Sequence, residues 1–268
     1  MTLFASVNSP DFIEFVEKGV AIEELEKRLR PAKYDNKQHE KDVREHAGYA
    51  NFSREGFIGN DEKLLDTIYK DCKTLESYGV KHHEIAAALN RLISINSEEV
   101  KKIFESRNSL SYKLLPKFVR KRLGMRDEIG DSHSCESILN DGYNYKLSSL
   151  FTFGEQNCPW GCNSYGQNAG VIYHGPLTKD QKTEIMFAQM GGIDAHEDSI
   201  NEAFAGVDDD FVLSVKRIKK ARNARQEPYY APITHLLPHL IEVHYFFEGT
   251  GSPYRADPTF LIKSLKLR

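Results

Sequence analysis

Apolar residues at positions 12, 13, 15, 16, 20, 22, 25 and 29 recur at roughly helical spacing and stop at Pro31. That pattern predicts a helix over Asp11 to Leu29. A charged stretch follows, KYDNKQHEKDVREHAGYANFSREGFIGN, which suits a loosely packed helix and a loop. Asp61 is then placed to cap a run whose apolar positions 64, 65, 68, 69, 72 and 75 share one helical face. After Tyr78-Gly79-Val80, the residues Ile85, Leu89, Leu92 and Ile93 repeat the same spacing. Further helices are expected from Ser97 and over Ser111 to Leu123, ending at Gly124.

The texture changes near residue 126. Glycine, aromatic, Asn and Ser residues crowd DGYNYKLSSLFTFGEQNCPWGCNSYGQNAGVIYHGP, a composition suited to short strands and tight turns. Lys146 to Phe153 and Ala169 to Tyr173 read as strands, Thr178 to Met190 and Asp194 to Phe204 as helices, and Phe211 to Val215 as a short strand. Pro228 and Pro232 suggest a proline-rich turn, and two helices close the chain. The second begins at Asp257-Pro258, a side-chain cap followed by the proline that suits a first helical position. The expected class is α+β, with a helical part over 1–125 and an α+β part over 126–268.

Composition narrows the function classes without choosing one. At 268 residues, 40 % hydrophobic and 28 % charged, the chain has enough apolar material for one large core or two small ones. Its net charge of −3 excludes a globally basic nucleic-acid binder and leaves only local patches. No apolar run approaches the ~20 residues of a membrane span, so no membrane association is expected. The start, MTLFASVNSPDFIEF, has no basic segment before an apolar core, and a cytoplasmic location is expected. Four cysteines are too few for a disulfide framework, and Cys158 and Cys162 sit too close for structural crosslinking to be the first reading.

The segment NCPWGC spaces Cys158 and Cys162 by three residues, inside the two-to-four spacing of zinc knuckles. Pro159 and Gly161 favour a sharp turn, and Trp160 can shield a bound ion. Downstream, LLPHLIEVH separates His239 and His244 by four residues, inside the spacing of the histidine half of a Cys2His2 site. This segment resembles the helix of a Cys2His2 zinc finger, with Leu236 or Leu237 packing beneath the site and Pro238 at the first helical position. The resemblance covers only these two segments. Residues 163–238, 76 in all, lie between Cys162 and His239, where a finger has about a dozen. It implies a zinc knuckle and a ligand helix joined across an inserted segment, and not major-groove recognition. Five residues turn an ideal helix by about 500°, so the two imidazoles diverge by about 140° and need local adjustment. His133 and Cys135 are competing ligands, as is His235, four residues before His239. A closed four-ligand shell would be structural, because it leaves no position for a reacting water.

Other chemistry competes for attention. Lys113, Lys117, Arg120, Lys121, Arg122 and Arg126 form one acid-free basic segment, and Lys216, Arg217, Lys219, Lys220, Arg222 and Arg225 a second, followed by Tyr229 and Tyr230. Mobile cations next to aromatic rings suit phosphates and bases. Asp194, His196 and Asp198 offer hard donors at alternate positions, which would suit a metal-dependent hydrolase of phosphoesterase type. LESYGVKHHEIAAALNRLI has a helix-turn-helix rhythm, and a plain helical hairpin has the same one. Tyr254 and Arg255, on a Gly-Pro loop, can meet a carboxylate or phosphate, or Arg255 can pair with Asp257. Walker, GxGxxG, GxSxG and HExxH patterns are all missing from the chain. The leading expectation is a zinc-stabilised binding or regulatory protein with nucleic acid or protein as partner.

Overall fold

The structure, a computed structural model, describes residues 4–30, 56–94, 139, 142–147, 156–166, 168–189, 228–252 and 254–268. Helices α1 (Pro10–Glu17) and α2 (Ile22–Leu29) form an N-terminal hairpin. Next come α3 (Leu64–Tyr78) and α4 (82–94). Strands β1 (Tyr143–Leu147), β2 (Gln156–Asn157), β3 (Tyr165–Gly166) and β4 (Asn168–His174) precede α5 (Lys179–Gln189). Strand β5 (Tyr230–Thr234), α6 (Leu237–His244) and α7 (Pro258–Ser264) complete the set. An antiparallel sheet runs β1-β4-β5, and β2 pairs with β3 in a separate ribbon. The fold is α+β.

Three local expectations are corrected. The single helix foreseen over 11–29 is two, because Lys18 takes a left-handed φ of 44° and Gly19 one of 88°, and the chain turns there. Asp61 does not cap the third helix; the cap position is Lys63, and the Glu26 carboxylate takes the Leu64 N–H instead at 2.8 Å. Pro232 lies inside β5, not in a turn; among the described residues β5 is at the edge of the sheet, where a missing N–H is tolerated. Other expectations hold. Gly79 ends α3 at φ 65° with the N–H of Val80 on the Leu75 carbonyl, and Asp257 caps α7 through the Phe260 N–H at 2.9 Å. The strand expected over 146–153 overlaps only the end of β1, which starts at Tyr143; residues 148–153 and the elements expected from 97 and over 111–123, 194–204 and 211–215 lie outside the described residues.

Among the described residues, two larger apolar cores form beside a small cluster of Val171, Ile185 and Tyr230, and each of the two draws on residues from both sides of position 126. The first packs Ile85, Leu89 and Leu92 of α4 against Tyr145, Ile172 and Ile233 of the sheet and Leu261 and Ile262 of α7. The second gathers Phe12, Val16, Leu25 and Leu29 of the hairpin, Leu64, Ile68 and Cys72 of α3, and Cys158, Trp160 and Phe246. Helix α6 serves both, with Leu237 and Ile241 in the first core and Leu240, with the preceding Leu236, in the second. Each such side chain contributes roughly 1.5–3 kcal/mol by leaving water. Among the described residues, no helix is long and apolar enough to cross a membrane.

Two polar links fasten the loops. The Glu62 carboxylate accepts the N–H groups of Gly59 (2.6 Å), Thr250 (2.7 Å) and Gly251 (3.0 Å), and the Thr250 hydroxyl. Burial works against its charge, yet these donors hold its carboxyl below the ordinary range. A Cβ at Gly249 would lie 2.2 Å from Glu62 Oε2, so the loop reaches the carboxylate only as glycine. Deeper in, Arg255 donates to both oxygens of Asp71 at 2.5 and 2.6 Å and to the Glu248 carbonyl. Burial disfavours the guanidinium charge, and the Asp71 carboxylate outweighs it, leaving Arg255 above its ordinary value.

Removing one member of a buried ion pair strands the other. Arg255→Met should cost ~3–5 kcal/mol of stability, read as a lowered urea midpoint. Glu248 gives a pH signature. It is fully buried, Ser252 Oγ donates to its Oε2 at 2.5 Å, and burial raises its carboxyl from 4.5 to about 8. Between those values the folded chain keeps a proton that the unfolded chain has released. The stabilising contribution is therefore present below pH 4.5 and lost as pH rises through about 8. In Glu248→Gln this part of the pH dependence should vanish from urea denaturation profiles, whereas matching slopes in both proteins would contradict the assignment.

Candidate metal centre

The two cysteines sit at the end of the β2–β3 ribbon. Cys158 N–H donates to the Ser164 carbonyl (2.9 Å), Gly161 N–H to the Cys158 carbonyl (3.0 Å) and Ser164 N–H to the Cys162 carbonyl (2.7 Å). Gly161, at φ 81°, supplies the left-handed step the turn needs. At the far end of β3, a Cβ on Gly166 would lie 2.3 Å from Leu236 N. The missing side chain is what lets the ribbon lie against the start of α6.

Helix α6 begins where Thr234 Oγ1 accepts the Leu237 N–H at 3.1 Å, with Pro238 in the first turn. His244 is its last residue, and Tyr245 at φ 55° ends it. His244 Nε2 lies 3.3 Å from Cys158 Sγ and 3.4 Å from Cys162 Sγ. The His239 ring stands 5.2 Å from that of His244, at 75° to it. One donor atom from each of Cys158, Cys162, His239 and His244 lies within 4.8 Å of all the others, so the four can hold a metal ion. Zn–S and Zn–N bonds of ordinary length at a tetrahedral ion set donor–donor edges of about 3.3–3.8 Å, close to the two sulfur–nitrogen distances here. The two histidines, five residues apart on α6, nevertheless both reach the cluster.

The surroundings are largely apolar, and burial favours the neutral forms of Cys158, His239 and His244. Burial pushes the Cys158 thiol up to about 12, with Cys162 adding to the shift. Burial takes His244 down to about 3, helped by His239 and Lys18, and lowers His239 as well. His239 Nε2 and His244 Nδ1 are buried with no hydrogen-bond partner among the described residues. Unpaired buried nitrogens are costly, and a metal ion removes that cost for a ligating one. The Trp160 indole stacks on His244 at 4.1 Å and 13°, and its N–H donates to the Val16 carbonyl at 2.7 Å. The expected shielding role of Trp160 thus has a geometric basis, and of the two leucines it is Leu236 that shares the core of the cysteines.

The other sequence candidates separate clearly. His235 precedes α6 and is not in the cluster. His133, Cys135, Asp194, His196, Asp198 and both basic segments, with Lys117, Arg120, Lys121, Arg122, Lys216, Arg217, Lys219 and Lys220, lie outside the described residues. Arg255 meets a carboxylate, but it is the internal one of Asp71 and not that of Asp257, while the Tyr254 N–H donates to Ser252 Oγ at 3.2 Å. Helices α3 and α4 follow one another across a short turn, and the second exposes Asn90 and Arg91.

One pair escaped the sequence reading. Cys72 Sγ lies 3.7 Å from His82 Nε2, and the His82 ring stacks on Tyr245 at 3.7 Å and 4°. They border a cleft of about 230 Å³ that Glu76, His83 and Glu242 also line. Burial, then Asp71 and Glu76, pushes Cys72 up to about 12, and burial takes His82 down to about 4. A neutral thiol beside a neutral imidazole is no activated nucleophile. The available signal was periodicity: His82 falls on the same face as Ala86, Leu89 and Ile93, all buried.

Comparison of the chain with protein-family models, with curated proteins and with solved structures finds no match.

Metal loading has a proton signature that follows from these shifts. Cys158 must pass from thiol to thiolate at neutral pH, whereas His244 is already neutral. Titration calorimetry in buffers of differing ionisation enthalpy should therefore show at least one proton released per ion, with affinity rising as pH rises. Proton uptake on binding, or none, would contradict this donor set.

Proposed function

We propose that this chain is a binding protein whose fold is held by one structural zinc ion, with nucleic acid as its partner. The observation that carries the reading is the convergence of Cys158, Cys162, His239 and His244 on one point within an apolar core. Two thiolates and two imidazoles are the donor set that zinc takes in closed structural sites, and a closed shell offers no position to a substrate or water. Such an ion contributes folding energy directly, since the unfolded chain has no preformed site. For the partner, the support is chemical: Lys117, Arg120, Lys121 and Arg122 in one segment, and Lys216, Arg217, Lys219 and Lys220 in another, supply phosphate-binding cations in a chain of net charge −3.

Two measurements test the two halves of the reading. Elemental analysis of untagged protein should find one zinc per chain that survives dialysis, and Cys158→Ser should lose it. Zinc-free native protein would end the first half. Binding to generic duplex and single-stranded nucleic acid should then weaken steeply with salt, and reversing the charge of Lys219 and Lys220 should flatten that slope. Absence of binding at low salt would end the second half.

A further inference from the structure

The cluster does more than join two C-terminal segments. Residues next to the candidate ligands in the chain also touch the N-terminal hairpin. Trp160, between the two cysteines, covers His244 with its ring and holds the Val16 carbonyl with its N–H at 2.7 Å. The carbonyl of Pro159 accepts from Arg28 Nη1 at 2.9 Å. From the ligand helix, the Val243 carbonyl accepts from Lys18, and Tyr245 packs on Phe15 with ring centres 4.7 Å apart. These contacts reach α1, the turn after it and one face of α2. A second set of attachments is independent of the knuckle: Lys73 donates to the Phe4 carbonyl at 3.2 Å, Phe12 meets Tyr69 edge-on at 5.7 Å, and the rest grip the end of α2. There the Leu29 carbonyl accepts from Phe57 N–H at 2.7 Å, Glu26 from Leu64 N–H at 2.8 Å, and Arg30 donates to the Glu62 carbonyl at 2.7 Å.

We infer that occupancy of the metal centre is transmitted through Trp160 to the docking of α1, so that loss of the ion frees the first helix while the sheet core stays folded. The inference rests on the proposed metal occupancy. Its physical basis is the division into two cores. The cluster lies in the one that contains Phe12, Val16, Leu25 and Leu29, whereas α4, the sheet and α7 pack in the other. Without an ion, two thiols and two imidazoles share a largely apolar core with His239 Nε2 buried and unpaired, and opening that core toward water relieves the cost. The cheapest opening is the one that breaks fewest other contacts. Residues 10–20 carry most of the contacts that pass through the knuckle and the ligand helix, at Phe15, Val16 and Lys18, whereas the end of α2 keeps its own grip. Trp160 is a positioning residue here, since it holds the His244 ring by stacking and the hairpin by its hydrogen bond.

The chain carries a single tryptophan, so its fluorescence reports on this junction alone. On the zinc-loaded full chain, chelation should shift Trp160 emission to longer wavelength, and one equivalent of zinc should restore it. Hydrogen exchange on the same samples should show faster exchange in residues 11–18 after chelation, with 143–147, 170–173 and 260–264 unchanged. Trp160→Phe keeps a ring over His244 and deletes the N–H. It should retain one zinc and speed exchange in residues 11–18 by roughly three- to tenfold, the scale of one hydrogen bond. Loss of protection in both cores together on chelation would overturn the inference, and so would bound zinc whose removal leaves residues 11–18 unmoved. A chain that takes up no zinc in titration fails the underlying reading instead.

Discussion

Four polar donors converge where the surroundings are otherwise apolar, and the arrangement of the second core follows from how they are satisfied. A thiol or imidazole taken out of water loses hydrogen bonds that the packing of leucine and phenylalanine cannot replace. Trp160, Leu236, Leu240 and Phe246 pack in the same core as Cys158, while Cys162 and His239 are only partly buried. The geometry points each pair at the other: a tight turn with Gly161 in a left-handed conformation aims the cysteines, and the last turn of α6 aims His244. Gly166 allows the two supports to touch.

Around this point the chain uses local polar clasps to hold segments far apart in sequence. Glu62 gathers three backbone N–H groups from two loops, and Arg255 spans Asp71 and the Glu248 carbonyl. Both place a charge where burial opposes it and supply enough donors or counter-charge to keep it. The C-terminal loop after α6 is thereby tied to α3 and to the residues before it. Helix α6 then carries one face into each core.

The order of helices and strands was largely legible, because a helix that buries one face must repeat apolar residues at its own period. That is why α3, α4, α5, β4 and α7 fall close to their expected positions. Periodicity does not register a single left-handed residue, so the break at Lys18 and Gly19 went unseen inside a continuous apolar pattern. Nor does it register which edge of a sheet a strand occupies, and Pro232 was misread for that reason.

The donor set itself was written in the chain: cysteine and histidine spacings limit which side chains can share one ion, whatever lies between them. Spacing is silent about encounter, however. Only the pairing of β2 with β3 and the close approach of Gly166 to Leu236 bring residue 158 to residue 244. The tertiary structure alone also decided that Arg255 pairs with Asp71, that Cys72 meets His82, and that the N-terminal hairpin shares a core with the cluster. Those are contacts between residues distant along the chain, fixed by how elements pack and not by any local pattern a sequence can carry.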